Sequence, residues 1–154
     1  KGRKGELIAK MNSLVDPEII KLLYLASQKG VEINLIIRGV CCLYPQREFL
    51  SENIKVKSII GHFLEHSRIF WFYNNGDPEV FIGSADWMRR NLDRRIEAIT
   101  PIEDSKLKSN LHHLLQKYLK DNFYSWTMRK DGSYEKKDNN HNIFKSQFDL
   151  IDDL

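Results

Sequence analysis

Cysteine is scarce in this sequence, and the only two, Cys41 and Cys42, are adjacent. Neighbouring residues rarely reach disulfide geometry, so the chain offers neither a disulfide framework nor a cysteine-based metal site. Long apolar runs are also missing, because no segment approaches the roughly 18 to 20 apolar residues that span a bilayer. The N-terminal KGRKGELIAK lacks the apolar core of a secretion signal. These absences argue against a disulfide scaffold and a transmembrane protein, and they predict a soluble protein of the reducing cytoplasm.

An excess of charge of one sign is absent as well, since 24 Lys and Arg face 21 Asp and Glu for a formal net charge of +3. Such a balance does not by itself indicate a nucleic acid or a membrane as partner. The loop GxxxxGK[ST] is missing, so any nucleotide must be held without that phosphate cradle. What the sequence does have is 154 residues with 42% hydrophobic content, enough for one domain with a core. The first residue is a lysine in a charged stretch, from which we expect further domains upstream in the same chain.

The first forty residues predict a β-α-β unit. A short apolar segment at 6–12 is followed by Asp16 as N-cap and Pro17 in the first turn of a helix that ends near Gly30. Residues 31–38 (VEINLIIR) form the second strand, for which a right-handed crossover between parallel strands is the default. The buried side of the helix is predicted to comprise Ile19, Ile20, Leu22, Leu23 and Ala26.

The rest of the chain predicts further strands and one long helix. We expect a hairpin turn at 74–78 and strands at 54–60, 63–73, 80–84 and 95–102. Asp104 is predicted to cap a helix in which apolar residues recur at helical spacing between Leu107 and Leu119. Beyond about Phe123 the pattern weakens, and we assign 1–123 to the domain and 124–154 to a peripheral C-terminal tail with a short helix.

Polar side chains stand at the ends of the predicted strands. Lys10 and Asn12 share one face of the first strand by its period of two, and the second strand ends at Arg38. In open α/β sheets, ligands bind outside the carboxyl ends of the strands, so these side chains are candidates for a binding site. The alternative is that Arg38 is simply a solvated arginine at a strand end.

A histidine and an arginine form the densest signal. Alternation within 63–70 places His66 and Arg68 on one face of a predicted strand. The pair suits phosphate chemistry, because the guanidinium offers a bidentate fork to phosphoryl oxygens. The imidazole can donate to phosphate, exchange protons or act as a nucleophile. The alternative is a structural histidine held by hydrogen bonds.

Four arginines with interleaved carboxylates lie within 83–97. We expect Arg95 and Glu97 to face together in a strand, so that an arginine oriented by an acid points at the same pocket as His66. Phosphate binding is favoured here over acid–base hydrolysis. The alternative is an exposed ion-pair network, which contributes little to stability. The supporting candidates across all three clusters are Lys10, Asn12, Arg68, Asp86 and Asn91.

Four motifs carry a resemblance to a known family: KMNSLVD at 10–16, IIRGVC at 36–41, FLEHSR at 63–68 and GSADWMRRNLDRRIE at 83–97. Over roughly residues 6–123 the chain is similar to the C-terminal catalytic domain of bacterial polyphosphate kinases, a branch of the phospholipase D superfamily. The resemblance implies an α/β, phospholipase D-like fold with a mixed β-sheet flanked by helices. The superfamily motif HxKxxxxD is only partly present, since Arg68 stands at the Lys position and Tyr73 at the Asp position.

The resemblance also implies a reaction, the reversible transfer of the terminal phosphoryl group of ATP to inorganic polyphosphate through a phosphohistidine in an upstream domain. Carried onto matching positions, His66 is the catalytic residue of this part of the enzyme. It contacts the nucleotide's phosphates together with Arg38, and Arg95 with Glu97 lines the same nucleotide- and phosphate-binding pocket. No metal ligand is expected in this chain, so the Mg²⁺ that accompanies ATP is held elsewhere, and the fragment alone is expected to be inactive.

The implied partners are ATP or ADP, inorganic polyphosphate, the upstream domains and further copies in a homo-oligomer, with no nucleic acid. The same resemblance implies a cytoplasmic protein that associates peripherally with membranes. Two rival functions stay open: a phosphodiesterase or nuclease of the phospholipase D superfamily, and a non-catalytic module that binds polyanions.

Overall fold

A mixed eight-stranded sheet forms the centre of the computed structural model, which describes residues 5–136 and 142–152. In space the strands follow the order β6-β5-β4-β1-β2-β3-β7-β8, where the numbers give chain order. The strands are β1 (Glu6–Met11), β2 (Glu32–Ile37), β3 (Ile54–Ile59), β4 (Ile69–Phe72), β5 (Glu79–Gly83), β6 (Ile99–Ile102), β7 (Ser125–Met128) and β8 (Tyr134–Glu135). Strands β1, β2 and β3 are parallel, and every other neighbouring pair is antiparallel. The predicted mixed sheet is confirmed.

Two of the helices that flank the sheet are capped as the sequence predicts. Asp16 accepts from the backbone N–H of Glu18 at 3.0 Å and of Ile19 at 2.9 Å. Asp104 accepts from the N–H of Leu107 at 2.8 Å. These two caps begin the first and third of the helices in the described residues, which are α1 (Pro17–Gln28), α2 (Arg89–Arg94), α3 (Ser105–Lys120) and α4 (Ser146–Asp152).

Apolar side chains cover both faces of the central strands. Alternation along β1 sends Leu7 to the face covered by α1 and Ile8 to the face covered by α3. The predicted β-α-β unit with parallel strands is therefore present. Leu22 was expected on the buried side of α1, but it is 63% exposed, because Leu23 and Ser27, one helical turn apart, form the buried stripe.

Two strands are shorter than the sequence predicts. Strand β4 begins only at Ile69, and at the start of the expected strand the backbone N–H and C=O of Phe63 bond the side chain of Gln147 and not a neighbouring strand. Strand β6 begins at Ile99, and the residues that precede it form α2 and a loop. The expectation of continuous strands over 63–73 and 95–102 is therefore wrong.

The segment beyond Phe123 extends the sheet. Strand β7 completes the free edge of β3, and β8 pairs with β7. The buried Asp121 joins this segment to α4, because its carboxylate accepts from the N–H groups of Tyr124 and Ser146. The expected peripheral role is thus wrong for 125–135, whereas a short helix, α4, is present; 137–141 and 153–154 lie outside the described residues. Of the helices described, none is long and apolar enough to cross a bilayer.

Candidate functional site

Five of the candidate residues are connected at one edge of the sheet, next to the carboxyl ends of β1 and β2: Asn12, Arg38, His66, Arg68 and Asp86. Asn12 directly follows β1, and Arg38 directly follows β2. The two strand ends lie side by side, since the backbone N–H of Arg38 donates to the carbonyl of Met11 at 3.3 Å. This edge is where open α/β sheets usually bind their ligands.

Asp86 is the acceptor that organises this edge. Its carboxylate accepts from the backbone N–H of Asn12 at 2.7 Å and from the Asn12 side-chain amide at 3.2 Å. It also accepts two bonds from Arg68, one from Nε at 3.1 Å and one from a terminal nitrogen at 3.2 Å. A bidentate, charge-assisted pair of this kind fixes the plane of the guanidinium. Asp86 is only 7% exposed, so it serves these donors and is not open to a ligand.

Asn12 orients Arg38. The Nε of Arg38 donates to Asn12 Oδ1 at 3.1 Å, while the amide nitrogen of Asn12 faces Asp86. These contacts determine which way the amide points, because a guanidinium only donates and a carboxylate only accepts. The contact uses Nε and leaves out the fork formed by the two terminal nitrogens of Arg38. That fork matches two oxygens of a phosphoryl group.

His66 is held by Arg68. The second terminal nitrogen of Arg68 lies 3.1 Å from His66 Nδ1 and donates to the His66 carbonyl at 3.1 Å. Because a guanidinium only donates, this contact is a hydrogen bond in the tautomer in which Nδ1 accepts and Nε2 carries the ring proton. The His66 side chain is exposed, so this N–H is accessible to a ligand. The two residues share one site even though the strand expected there is absent.

Lys10 does not reach this surface, because it is only 2% exposed. Its ammonium bonds the Ser67 hydroxyl at 2.8 Å and pairs with the Glu65 carboxylate at 3.1 Å. It also lies 4.9 Å from the centre of the Tyr118 ring. Burial lowers the pKa of Lys10, and the Glu65 carboxylate opposes that shift. Lys10 therefore supports the segment around His66 from inside the protein.

Glu97 and Arg95 lie in the loop between α2 and β6, so the strand on which they were expected to face together is absent. The Glu97 carboxylate accepts from the Ser84 hydroxyl and from the Asn91 side-chain amide. These bonds, that of Ser84 first, lower the pKa of Glu97, and the charges of Arg95 and Arg68 add to the shift. Glu97 is therefore a carboxylate at neutral pH that ties this loop to the end of β5, with Arg95 exposed beside it.

Sequence reasoning missed three residues that fix the site: Glu65, Ser67 and Gln147. The first two flank His66 and face inward, and the alternation that was applied to His66 would also have identified them. Gln147 is 84 positions from its partner Phe63, and no spacing in the sequence indicates that contact.

The carboxylates of the site do not fit a Mg²⁺ ion. Mg²⁺ needs carboxylate or phosphate oxygens together with several waters, in octahedral geometry. Asp86 is engaged by Arg68 and Asn12, and Glu97 is engaged by hydroxyl and amide donors. Among residues 5–136 and 142–152, no three His, Cys, Asp or Glu side chains are grouped to hold a metal.

The arrangement can bind an oxyanion. Asp86 neutralises Arg68, whereas Arg38, Arg95 and the Nε2–H of His66 provide positive charge and donors near one surface. Donors fixed in advance stabilise negative charge better than donors that must reorganise. The lone pair of His66 Nδ1 is already engaged by Arg68, so this imidazole is arranged as a donor and not as a nucleophile.

Comparison with known proteins identifies the family. The family model for the polyphosphate kinase C-terminal domain 2 matches residues 1–147. A polyphosphate kinase of Parasynechococcus marenigrum is 60% identical over 152 residues, which are 97% of this chain and 21% of that protein. The polyphosphate kinase of Pseudomonas aeruginosa is 47% identical over 155 residues, which are 99% of this chain and 22% of that protein. The chain thus spans about a fifth of the length of the curated relatives it matches.

Solved structures agree with the family match. The polyphosphate kinase of Porphyromonas gingivalis superposes with a TM-score of 0.92 at 41% identity, covering 97% of this chain and 23% of that one. A phospholipase D family member, Nuc from Salmonella typhimurium, gives a TM-score of 0.61 at 15% identity over 84% of each chain, which shows the fold alone. The predicted phospholipase D-like fold is confirmed. Sequence and structure thus confirm the resemblance seen in the four motifs. The chain belongs to the polyphosphate kinase family and corresponds to the C-terminal domain 2 of these enzymes.

Proposed function

We propose that this chain is a catalytic domain of a polyphosphate kinase, which reversibly transfers the terminal phosphoryl group of ATP to inorganic polyphosphate. The observation that carries the proposal is the connected row Arg38–Asn12–Asp86–Arg68–His66, in which one buried carboxylate orients two guanidinium groups and an imidazole. Phosphoryl transfer is catalysed mainly by positioning and by stabilisation of the charge on the moving group. A row of fixed donors meets that need, and the family membership supports the substrate class.

In this proposal Arg38 and His66 contact the phosphates directly. Arg38 offers its terminal fork to two phosphoryl oxygens, and His66 donates through Nε2–H to a third or passes a proton. Arg95 adds positive charge, and Glu97 keeps the Arg95 loop in place through its bonds to Ser84. The family resemblance implies that the histidine that becomes phosphorylated lies in an upstream domain, and in the proposal His66 supports it as a donor.

The proposal assigns the remaining functions to the rest of the kinase. Upstream domains supply the phosphohistidine, the contacts to the adenine of ATP or ADP and the groups that hold Mg²⁺ with the nucleotide. The complete enzyme acts as a homo-oligomer in the cytoplasm, in peripheral contact with membranes. The chain on its own binds phosphates but does not catalyse phosphoryl transfer.

Polyphosphate synthesis by the complete kinase tests the role of His66. We expect His66→Ala to lower kcat by about 100-fold or more, the usual contribution of a positioned proton donor. His113→Ala is a matched control, because His113 is an exposed residue of α3 and does not belong to the connected row that ends at His66. Turnover of the His66→Ala enzyme within about threefold of the wild type would refute the assignment.

Phosphodiester hydrolysis is the second candidate, since the fold is shared with the phospholipase D family member Nuc. Two residues disfavour it: Arg68 replaces the motif lysine and is engaged by Asp86, and Tyr73 replaces the motif aspartate. Release of nitrophenol from a phosphodiester substrate, lost in His66→Ala, would favour this candidate. A third candidate, a module that only binds polyanions, predicts that His66→Ala leaves polyphosphate synthesis unchanged.

A further inference from the structure

The segment that carries His66 is fixed by a side chain from the opposite end of the chain. Gln147, in α4, is only 3% exposed. Its Oε1 accepts from the backbone N–H of Phe63 at 2.9 Å. Its Nε2 donates to the Phe63 carbonyl and to Glu65 Oε1, each at 2.8 Å. One amide side chain therefore replaces the strand partner that the backbone of Phe63 lacks.

The contact between α4 and this segment is close and is anchored on both sides. A Cβ on Gly61 would overlap with Gln147 Oε1 and would lie 3.0 Å from the Tyr124 ring, so a glycine at this position permits the close approach. On the other side, the Asp121 carboxylate accepts from the N–H and the hydroxyl of Ser146, each at 2.8 Å. These contacts on both sides hold the Gln147 side chain in one place.

Both neighbours of His66 in the chain are tied inward. Glu65 bonds Gln147 through one oxygen and pairs with the buried Lys10 at 3.1 Å through the other. Ser67 bonds Lys10 Nζ at 2.8 Å. The Tyr118 ring packs beside this group, with Lys10 Nζ 4.9 Å from its centre. Both neighbours of His66 thus contact the buried Lys10, whereas the His66 side chain is exposed.

We propose that Gln147 is a positioning residue for His66. By bonding Phe63 and Glu65, it sets the place from which His66 Nε2 meets a phosphoryl group. The inference rests on the proposed function and adds to it a side chain that touches no substrate. A misplacement of about 1 Å in a catalytic group costs up to about 100-fold in rate, so loss of Gln147 lowers kcat while KM for ATP stays nearly constant.

The test uses the complete kinase with Gln147→Ala and Gln147→Glu. The second variant preserves size and one acceptor, but it loses the N–H donor and places a carboxylate against Glu65, so a cavity does not explain its effect. Ile151→Ala is the matched control, since Ile151 is 46% exposed on the same helix. We expect kcat to fall about 10-fold to 100-fold in both Gln147 variants, with KM for ATP within about twofold and the control unchanged.

Two further measurements separate positioning from general damage. In hydrogen exchange with mass spectrometry, the peptide that covers 61–68 should exchange at least about 10-fold faster in Gln147→Ala, with peptides from β1 and β2 unchanged. In the background of His66→Ala, adding Gln147→Ala should lower kcat by less than about twofold, because the two residues act through one step.

The outcomes distinguish the two proposals. Wild-type kcat in Gln147→Ala, unchanged exchange at 61–68, or additive losses in the double variant would each overturn the role of Gln147 alone. Wild-type turnover in His66→Ala would overturn the proposed function and, with it, the role of Gln147. Loss of kcat together with faster local exchange and non-additivity would establish Gln147 as a positioning residue.

Discussion

Removal of the Asp86 carboxylate is the perturbation that the structure predicts most sharply. Asp86→Ala leaves the backbone N–H of Asn12 without its acceptor at 2.7 Å and removes both bonds that Arg68 donates to the carboxylate. A buried N–H left unpaired costs about 1–3 kcal/mol. Breaking one side of a buried ion pair costs about 3–5 kcal/mol, which must be discounted here because water reaches the 12% exposed Arg68 side chain.

The two effects share one carboxylate and are not additive, so we expect Asp86→Ala to lower the free energy of unfolding by about 4 kcal/mol. For a domain of this length that corresponds to a fall in Tm of roughly 8–16 °C. Asp86→Asn keeps one carbonyl acceptor for the Asn12 N–H but loses the charge, and it should cost about half as much. Both values can be measured by urea denaturation and thermal melting of the 154-residue chain.

Asp93→Ala is the control, because Asp93 is an exposed carboxylate on α2 and its loss should change stability by less than about 0.5 kcal/mol. A loss of less than about 1 kcal/mol in Asp86→Ala would refute the reasoning, since it would mean that water satisfies Arg68 and Asn12 equally well. Equal losses in the Asp86 and Asp93 variants would also contradict it, because the contacts of Asp86 would then contribute nothing.

Three further predictions concern other parts of the chain. Arg38→Ala should lower polyphosphate synthesis by the complete kinase about 100-fold, and Arg38→Lys should recover only part of it, because an ammonium lacks the fork; full recovery with lysine would contradict bidentate binding. Burial raises the pKa of Cys41 to about 11. Iodoacetamide at pH 8 should therefore modify the exposed Cys42 and spare Cys41. Alkylation of Cys41 should rise only as the pH approaches the pKa of this thiol. Peptide mass spectrometry reads out both thiols, and equal labelling at pH 8 would contradict the burial. Gly83→Ala should cost about 1–3 kcal/mol in urea denaturation, because its Cβ would lie 2.6 Å from the backbone oxygen of Ala98; a neutral effect would mean that β6 shifts freely.

Much of the fold follows from local signals in the sequence. Asp16 with Pro17, and later Asp104, mark helix starts because their side chains bond backbone N–H groups within three residues. The parallel β1–β2 pair follows from the helix that connects the two strands, because such a crossover returns the chain to the same end of the sheet. The proximity of Asn12 and Arg38 at the carboxyl ends of these strands follows from the same geometry, and their role in a binding site stays a prediction.

The errors arise where distant residues override a local pattern. The apolar and aromatic residues of 63–73 are typical of a strand. The backbone N–H and C=O of Phe63, however, bond the side chain of Gln147 and not another strand. Helix α2 was not predicted, because Met88 at its N-cap makes no side-chain capping bond. Strand β7 is too short to show a clear period, and only the open edge of β3 explains it.

The contact between Gln147 and Phe63 also has a consequence for biosynthesis. The two residues are 84 positions apart. At roughly 5–20 residues per second, a ribosome adds Gln147 roughly 4–17 s after Phe63. During that interval the backbone N–H and C=O of Phe63 lack the Gln147 side chain that bonds them. We expect the apolar side chains of this loop to be open to chaperones and proteases for as long. The segment that carries His66 therefore gains its contacts with Gln147 only after α4 has been synthesised, and we expect it to be open to proteases in nascent chains until then.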